Sequence, residues 1–252
     1  MRKNYAFTIS EILITLGIIG VIAALTLPTI NAIIFEKQTV NVLKQSYSII
    51  TGAVKMMEEE EECLSGSCYT KYSAPEIEAI ASNIDRHFKY ADKICYAKPA
   101  DTYKVNVDWL PEKTYSLNGA YSFYSTYTVQ KYSRADNSGV CYYKLLNGAT
   151  VSMYRMNAFN NSETLNIVID TNGKARPNRV GKDTFPISSV GDYPGVIPYY
   201  SIHPWASPEF YNGLCSYRAK NSCKPDEKSP AAYVLTYGKL PNLEKAGFPK
   251  KP

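Results

Sequence analysis

The sequence predicts an α+β fold, and three observations carry that prediction. An uncharged apolar run lies close to the N-terminus, an apolar stripe at helical spacing continues beyond it, and strand-like alternation takes over from about residue 103. The 252 residues are 45% apolar and 20% charged, which excludes a collagen-like, a fully disordered or a polytopic membrane chain. The formal charge of +5 is too mild to imply a nucleic-acid partner. Six cysteines with two histidines and no CxxC pair do not form a zinc-site pattern.

The first element is the apolar run itself. Ile12 to Phe35 reads ILITLGIIGVIAALTLPTINAIIF, 24 residues without a charge. As a helix it measures roughly 36 Å, enough for a bilayer. Arg2 and Lys3 precede it, so the positive-inside rule puts the N-terminus in the cytoplasm and the residues after Phe35 outside, where disulfides persist. A cleaved secretory signal carries a shorter apolar core ending in small residues, and this run has no clear A-x-A ending. A plain membrane anchor explains the length but not Glu11, a carboxylate at the start of the run with no cation beside it in the helix. An ionisable group in such a segment costs up to ~2.5–3.5 kcal/mol and marks function by default. A cut between Ala6 and Phe7 would supply the missing cation, because the new α-amine of Phe7 would stand four residues before Glu11.

At this point Ala6-Phe7-Thr8-Ile9-Ser10-Glu11, the apolar run and Pro28 resemble the class III prepilin signal of type IV pilins and type II secretion pseudopilins. The resemblance implies a leader of residues 1–6, cleavage before Phe7 with methylation of its amine by a prepilin peptidase, Glu11 as the fifth mature residue and Pro28 as the twenty-second. It further implies other pilin-like subunits and an inner-membrane assembly platform as partners. Glu11 would pair with the Phe7 amine of a neighbour and set the register of a helical filament, a head-to-tail association that grows open fibres. Two positions depart from the pattern: Ala6 stands where the family usually has glycine, and Ser10 where an apolar residue is commoner. Losing Arg2 and Lys3 with the leader would lower the charge to +3. The expected fold is pilin-like: residues 7–62 form one long helix, its membrane-spanning half at about 12–35, packed on the antiparallel sheet of an extracytoplasmic domain at 63–252.

Past the bilayer, Val40, Leu43, Tyr47, Ile50, Val54 and Met57 recur at alternating spacings of 3 and 4, while Lys37, Asn41, Lys44, Gln45, Ser48 and Lys55 fill the opposite face. The predicted helix therefore packs one stripe on a sheet. Glu58 to Glu62, five consecutive carboxylates, read as a solvated end. A second helix is expected from Pro75 to His87, with Ser73 and Glu76 as a capping box and Ile77, Ile80, Ile84 and Phe88 as its apolar face. Strands are expected at Tyr103–Trp109, Ala120–Tyr132, Thr150–Met156 and Thr164–Asp170, with turns at Asn118-Gly119 and Asn147-Gly148.

The last of these strands enters a loop in which Asp170, Asn172 and Asp183 supply oxygen donors. It resembles a DxNGxxxPNxxGxDxF segment of pseudopilin-like proteins, where related loops can hold calcium. It is not an EF-hand: Lys174 stands where a further oxygen ligand belongs and the closing glutamate is missing. Lys174, Arg176, Arg179 and Lys182 also oppose a divalent cation, so a hydrogen-bonded Asx turn is the preferred expectation and calcium the alternative. Nucleic acid is not expected, since exposed basic loops are common.

Sequence proximity pairs Cys63 with Cys68 and Cys215 with Cys223, leaving Cys95 for Cys141, though six cysteines allow fifteen connectivities. From Pro186 the chain is rich in Pro, Tyr, Gly and Ser and weakly periodic, with tyrosines suited to core packing or to a contact surface. It carries no P-loop, HExxH, G-x-S-x-G or dinucleotide fingerprint, and His87 and His203 are its only histidines, so no enzymatic activity is expected. The competing expectation is a single-pass, membrane-anchored adhesin or binding domain that never polymerises.

Overall fold

The computed structural model describes residues 8–62, 77–96, 107–111, 114–115, 140–157, 163–188, 197–198 and 230–243. The expected α+β class is found. A long helix, α1 (Ile9–Glu60), precedes α2 (Ile77–Asp85), six strands and α3 (Pro230–Tyr237). The strands are β1 (Tyr90–Tyr96), β2 (Val140–Leu145), β3 (Thr150–Asn157), β4 (Glu163–Asp170), β5 (Thr184–Ser188) and β6 (Ile197–Pro198). They form one sheet in chain order with every neighbouring pair antiparallel.

The chain divides into two compact units, Met1–Gln38 and Thr39–Pro252. In the first, α1 is apolar all round, runs through Pro28, and exposes Leu13, Leu16, Ile19 and Leu25 among others. α1 is the one helix among the described residues that is long and apolar enough to cross a membrane. A helix with no polar face belongs in an apolar medium or against other helices.

In the second unit the same helix buries a single stripe. Val40, Leu43, Ile50, Val54 and Met57 enter the main core with Tyr47 packed against it, as the spacing predicts, and Asn41, Lys44, Gln45, Ser48 and Lys55, like Lys37 just before this unit, stay exposed. Alternation along the strands supplies the other wall. Tyr143, Val151, Ile169 and Phe185 lie opposite one another across β2 to β5 and are all buried on this face. The other face carries a smaller cluster of Leu110, Val140, Tyr142, Tyr154 and Val168.

Polar contacts fix the outer elements. Asp85 Oδ2 accepts from Lys93 Nζ at 2.7 Å and from the Tyr143 hydroxyl at 3.0 Å, tying α2 to β1 and β2. Burial, then the Asp85 carboxylate, push the Tyr143 phenol far above its usual range, so it stays a donor. The Asn147-Gly148 turn joins β2 to β3 as expected, with Gly148 at φ +88° and the Asn147 amide donating to Ser46 Oγ of α1 at 3.0 Å. Ala231 and Val234 anchor α3 in the main core. Cys95 and Cys141 face each other in the β1–β2 register and are disulfide-bonded, with Cα atoms 4.1 Å apart. This matches the pairing left by proximity. Cys63, Cys68, Cys215 and Cys223 lie outside the described residues.

Several expectations change. Glu58 is 4% exposed, so the acidic run is not a wholly solvated end, and Glu60 lies 3.3 Å from His87 Nε2. The second helix ends at Asp85, before the expected His87, and is described from Ile77 onward; its expected start and cap residues fall outside the described residues. Val107 to Leu110 is a turn, closed by Leu110 N–H on the Val107 carbonyl at 3.1 Å, and not the end of a strand. The strand expected at 120–132 and the turn at Asn118-Gly119 lie outside the described residues.

The disulfide closes a separation of 46 residues. Replacing Cys95 and Cys141 together by alanine is expected to lower the unfolding free energy by about 2–4 kcal/mol, read from urea titrations of both proteins under oxidising conditions.

Candidate functional site

Two places carry the sequence-derived site residues. The first is the head of α1. Glu11 Oε2 accepts the Thr8 backbone N–H and the Thr8 hydroxyl, both at 2.8 Å, and the Glu11 N–H donates to Thr8 Oγ1 at 3.2 Å. This is a reciprocal capping box, which satisfies donors that the first helical turn leaves without partners. Thr8-x-x-Glu11 is the sequence signature of this cap, and it adds Thr8 to the residues of the site. Glu11 is thus held locally by hydrogen bonds but paired with no cation among the described residues. Ala6 and Phe7 lie outside them, and Pro28 sits inside the helix on its exposed apolar half.

The second place is the 170–183 loop, which leaves the sheet at the end of β4 and returns at β5. Asp170 Oδ1 accepts the backbone N–H groups of Asn172 at 3.1 Å and Gly173 at 2.8 Å, the expected Asx turn. Asp183 organises the far side: Oδ2 accepts from Asn178 N–H and Oδ1 from Arg179 N–H, both at 2.7 Å. Its own carbonyl accepts from the Thr171 N–H at 2.9 Å and hydroxyl at 3.1 Å, closing the neck. Asn178, at φ +49°, orients its amide nitrogen toward the carbonyls of Gly173 at 2.9 Å and Ala175 at 2.8 Å. The loop is further held by Tyr115, outside the six strands, whose N–H donates to the Asn178 carbonyl at 2.7 Å.

The two buried carboxylates repel each other. Burial, then the Asp183 charge, push the Asp170 carboxyl well above the usual carboxylate range, against the N–H groups of Asn172 and Gly173. Burial pushes Asp183 up to about 6 despite its backbone donors. None of Lys174, Arg176 and Lys182 forms an ion pair with either carboxylate. Two acceptors here have no hydrogen-bond partner: Asp170 Oδ2 and Asn172 Oδ1.

Among the described residues no three His, Cys, Asp or Glu side chains gather as a metal cluster. The loop instead offers hard oxygen donors, the kind calcium takes. Asp170 and Asn172 fit such an ion because each has a buried oxygen to spare, whereas both oxygens of Asp183 already hold backbone. Of the three expected ligands, two thus keep a buried oxygen free of hydrogen bonds, and the third holds backbone of the loop.

No protein-family model, curated protein or solved structure matches the chain. The reading of its function rests on the residues themselves.

Both carboxyl shifts are upward, so with cations chelated the folded chain holds protons that the unfolded chain, with carboxyls near 3.8, releases. For Asp183 the contribution to stability is greatest below about pH 4 and is lost as pH rises through about 6, a drop on the order of 2–3 kcal/mol, and the raised Asp170 carboxyl acts in the same direction. Asp170→Asn keeps an oxygen for the two N–H groups and removes one of the two charges. Thermal unfolding in EDTA from pH 4 to 8 should show a flatter profile for Asp170→Asn, and higher stability than wild type at pH 7.5.

Proposed function

We propose that the chain is a pilin-like structural subunit, cut by a prepilin peptidase between Ala6 and Phe7 and assembled through α1 into a pseudopilus of type II secretion or a type IV pilus. The observation that carries this reading is Glu11: a carboxylate held at the head of a helix whose next 24 residues are uncharged and none of them buried. A plain anchor has no use for it. In a filament the α-amine of a neighbour's Phe7 would supply its counter-charge, and the Thr8 hydrogen bonds would hold one carboxylate oxygen while the other receives that amine. The apolar surface that faces lipid in the stored subunit would face other subunits after assembly. The sheet domain is what such a fibre would display, and its work is mechanical.

Calcium enters the same reading as a structural ion. When bound it would neutralise the carboxylates at the end of β4, with Asp170 and Asn172 as its holders.

Intact-mass and N-terminal analysis of protein expressed with and without a prepilin peptidase tests the processing. A chain beginning at methylated Phe7 only with the peptidase present is the expected result, and one still beginning at Met1 sinks the assembly reading. Glu11→Ala should be cleaved yet fail to form filaments when the assembly machinery is present. In the competing anchored-adhesin reading the same substitution merely eases membrane insertion. Thr8→Val, which loses the side-chain half of the cap, should be cleaved and assemble more slowly, as seen in filament yield by shearing and electron microscopy.

A further inference from the structure

The orphaned oxygens of the 170–183 loop do not stand alone. Thr150 Oγ1, on β3, is also buried and without a hydrogen-bond partner. Thr150 and Asp170 are register partners, so their side chains leave the sheet on the same face with Cβ atoms about 4.5–5.5 Å apart. The Asn172 N–H on Asp170 Oδ1 places Asn172 beside them. Gly173 then lies directly over Thr150: at φ +58°, a Cβ on it would meet Thr150 Cγ2 at 3.3 Å and the Trp109 carbonyl oxygen at 3.1 Å. Three buried oxygens without hydrogen-bond partners thus belong to two paired strand ends and to the loop that follows them, and Gly173 packs closely over Thr150. Asp170 and Thr150 are 1% and 2% exposed, so bulk water does not satisfy them. A hydroxyl can donate to one acceptor, which leaves the second acceptor and the carboxylate charge unmet.

We propose that the end of the β3–β4 pairing takes a calcium ion with Thr150 Oγ1 as a ligand from β3, beside Asp170 Oδ2 and Asn172 Oδ1, while Asp183 is a positioning residue that shapes the loop. The inference rests on the calcium reading of the loop and is independent of filament assembly. Three side-chain oxygens fall short of the six to eight that calcium takes, and carbonyls and water complete the shell. The assignment moves the site from a loop alone to a junction of loop and sheet. An ion there joins β3 to the end of β4 and binds the folded chain only.

The test uses the full chain in detergent, stripped with EDTA and then titrated with CaCl2 or MgCl2, with melting temperature and calorimetric affinity as readouts. Calcium should raise the melting temperature of the wild type by several degrees, as expected for a ligand of the native state alone. Thr150→Val, which removes a buried hydroxyl with no partner, should be at least as stable as wild type without metal and bind calcium about tenfold more weakly. Asp170→Asn should gain nothing from calcium. Full calcium affinity in Thr150→Val alongside its loss in Asp170→Asn would overturn the Thr150 assignment and leave the calcium reading standing. No response of the wild type to calcium overturns both. A response that survives in Asp170→Asn places the ion elsewhere and overturns both as well.

Discussion

The folded domain depends on one surface: the stripe of α1 from Val40 to Met57 that closes the main core. Leu43, Ile50 and Val54 are fully buried there, and burying a side chain of this size is worth about 1.5–3 kcal/mol. Because the helix covers one face of the sheet, the strands must send alternate residues to it, and Tyr143, Val151, Ile169 and Phe185 do so in a single rank. The residues between them are forced to the other face. That is where the small cluster around Tyr142 and the 170–183 loop lie, so the placement of Thr150 and Asp170 together is a downstream result of how the helix packs.

The same helix changes its requirement near Gln38. Before that point no face is polar, and after it only one stripe is buried. A helix can meet both demands without a break because its backbone hydrogen bonds are internal and indifferent to what surrounds it. Glu11 is the exception within the apolar half. The capping box explains how the carboxylate is held, since it replaces hydrogen bonds the first turn lacks, but it leaves the charge itself uncompensated. It is this residual charge that gives the head of the helix a reason to seek a cation.

Legibility followed physics. Both halves of α1 were readable because their periodicity and charge pattern are strong, and β3 and β4 because they alternate. β2, Val140-Cys-Tyr-Tyr-Lys-Leu, was missed because it is buried on both faces and so has no polar alternation. β5 contains Pro186, which argues against a strand; among the described residues the sheet continues beyond it into the two-residue β6. α3 hides in a Pro- and Tyr-rich stretch with few polar residues to reveal a period. At the site, Asp170 and Asn172 were legible as oxygen donors. Thr150 was not, because its relevance comes from a ladder pairing 20 positions away that no local pattern encodes. The part Asp183 plays in shaping the loop was not legible, because sequence shows a donor but not which backbone groups it holds.

The sheet order repeats the chain order from β1 to β6. Among the described strands none has to be threaded between two that already pair, so each finds its partner waiting on the preceding side as the chain lengthens. Such a sheet can be built vectorially, one edge extending at a time, with the short β2–β3 and β3–β4 connections closing quickly. α1 is made first and its stripe finds no sheet to cover it until β2 to β5 have formed. During that interval the nascent chain presents an open hydrophobic ridge, and β1 waits through a long connection for β2. A protein ordered in this way is safest when it folds with α1 already held by something else, so that the first element to appear is also the first to be taken out of circulation.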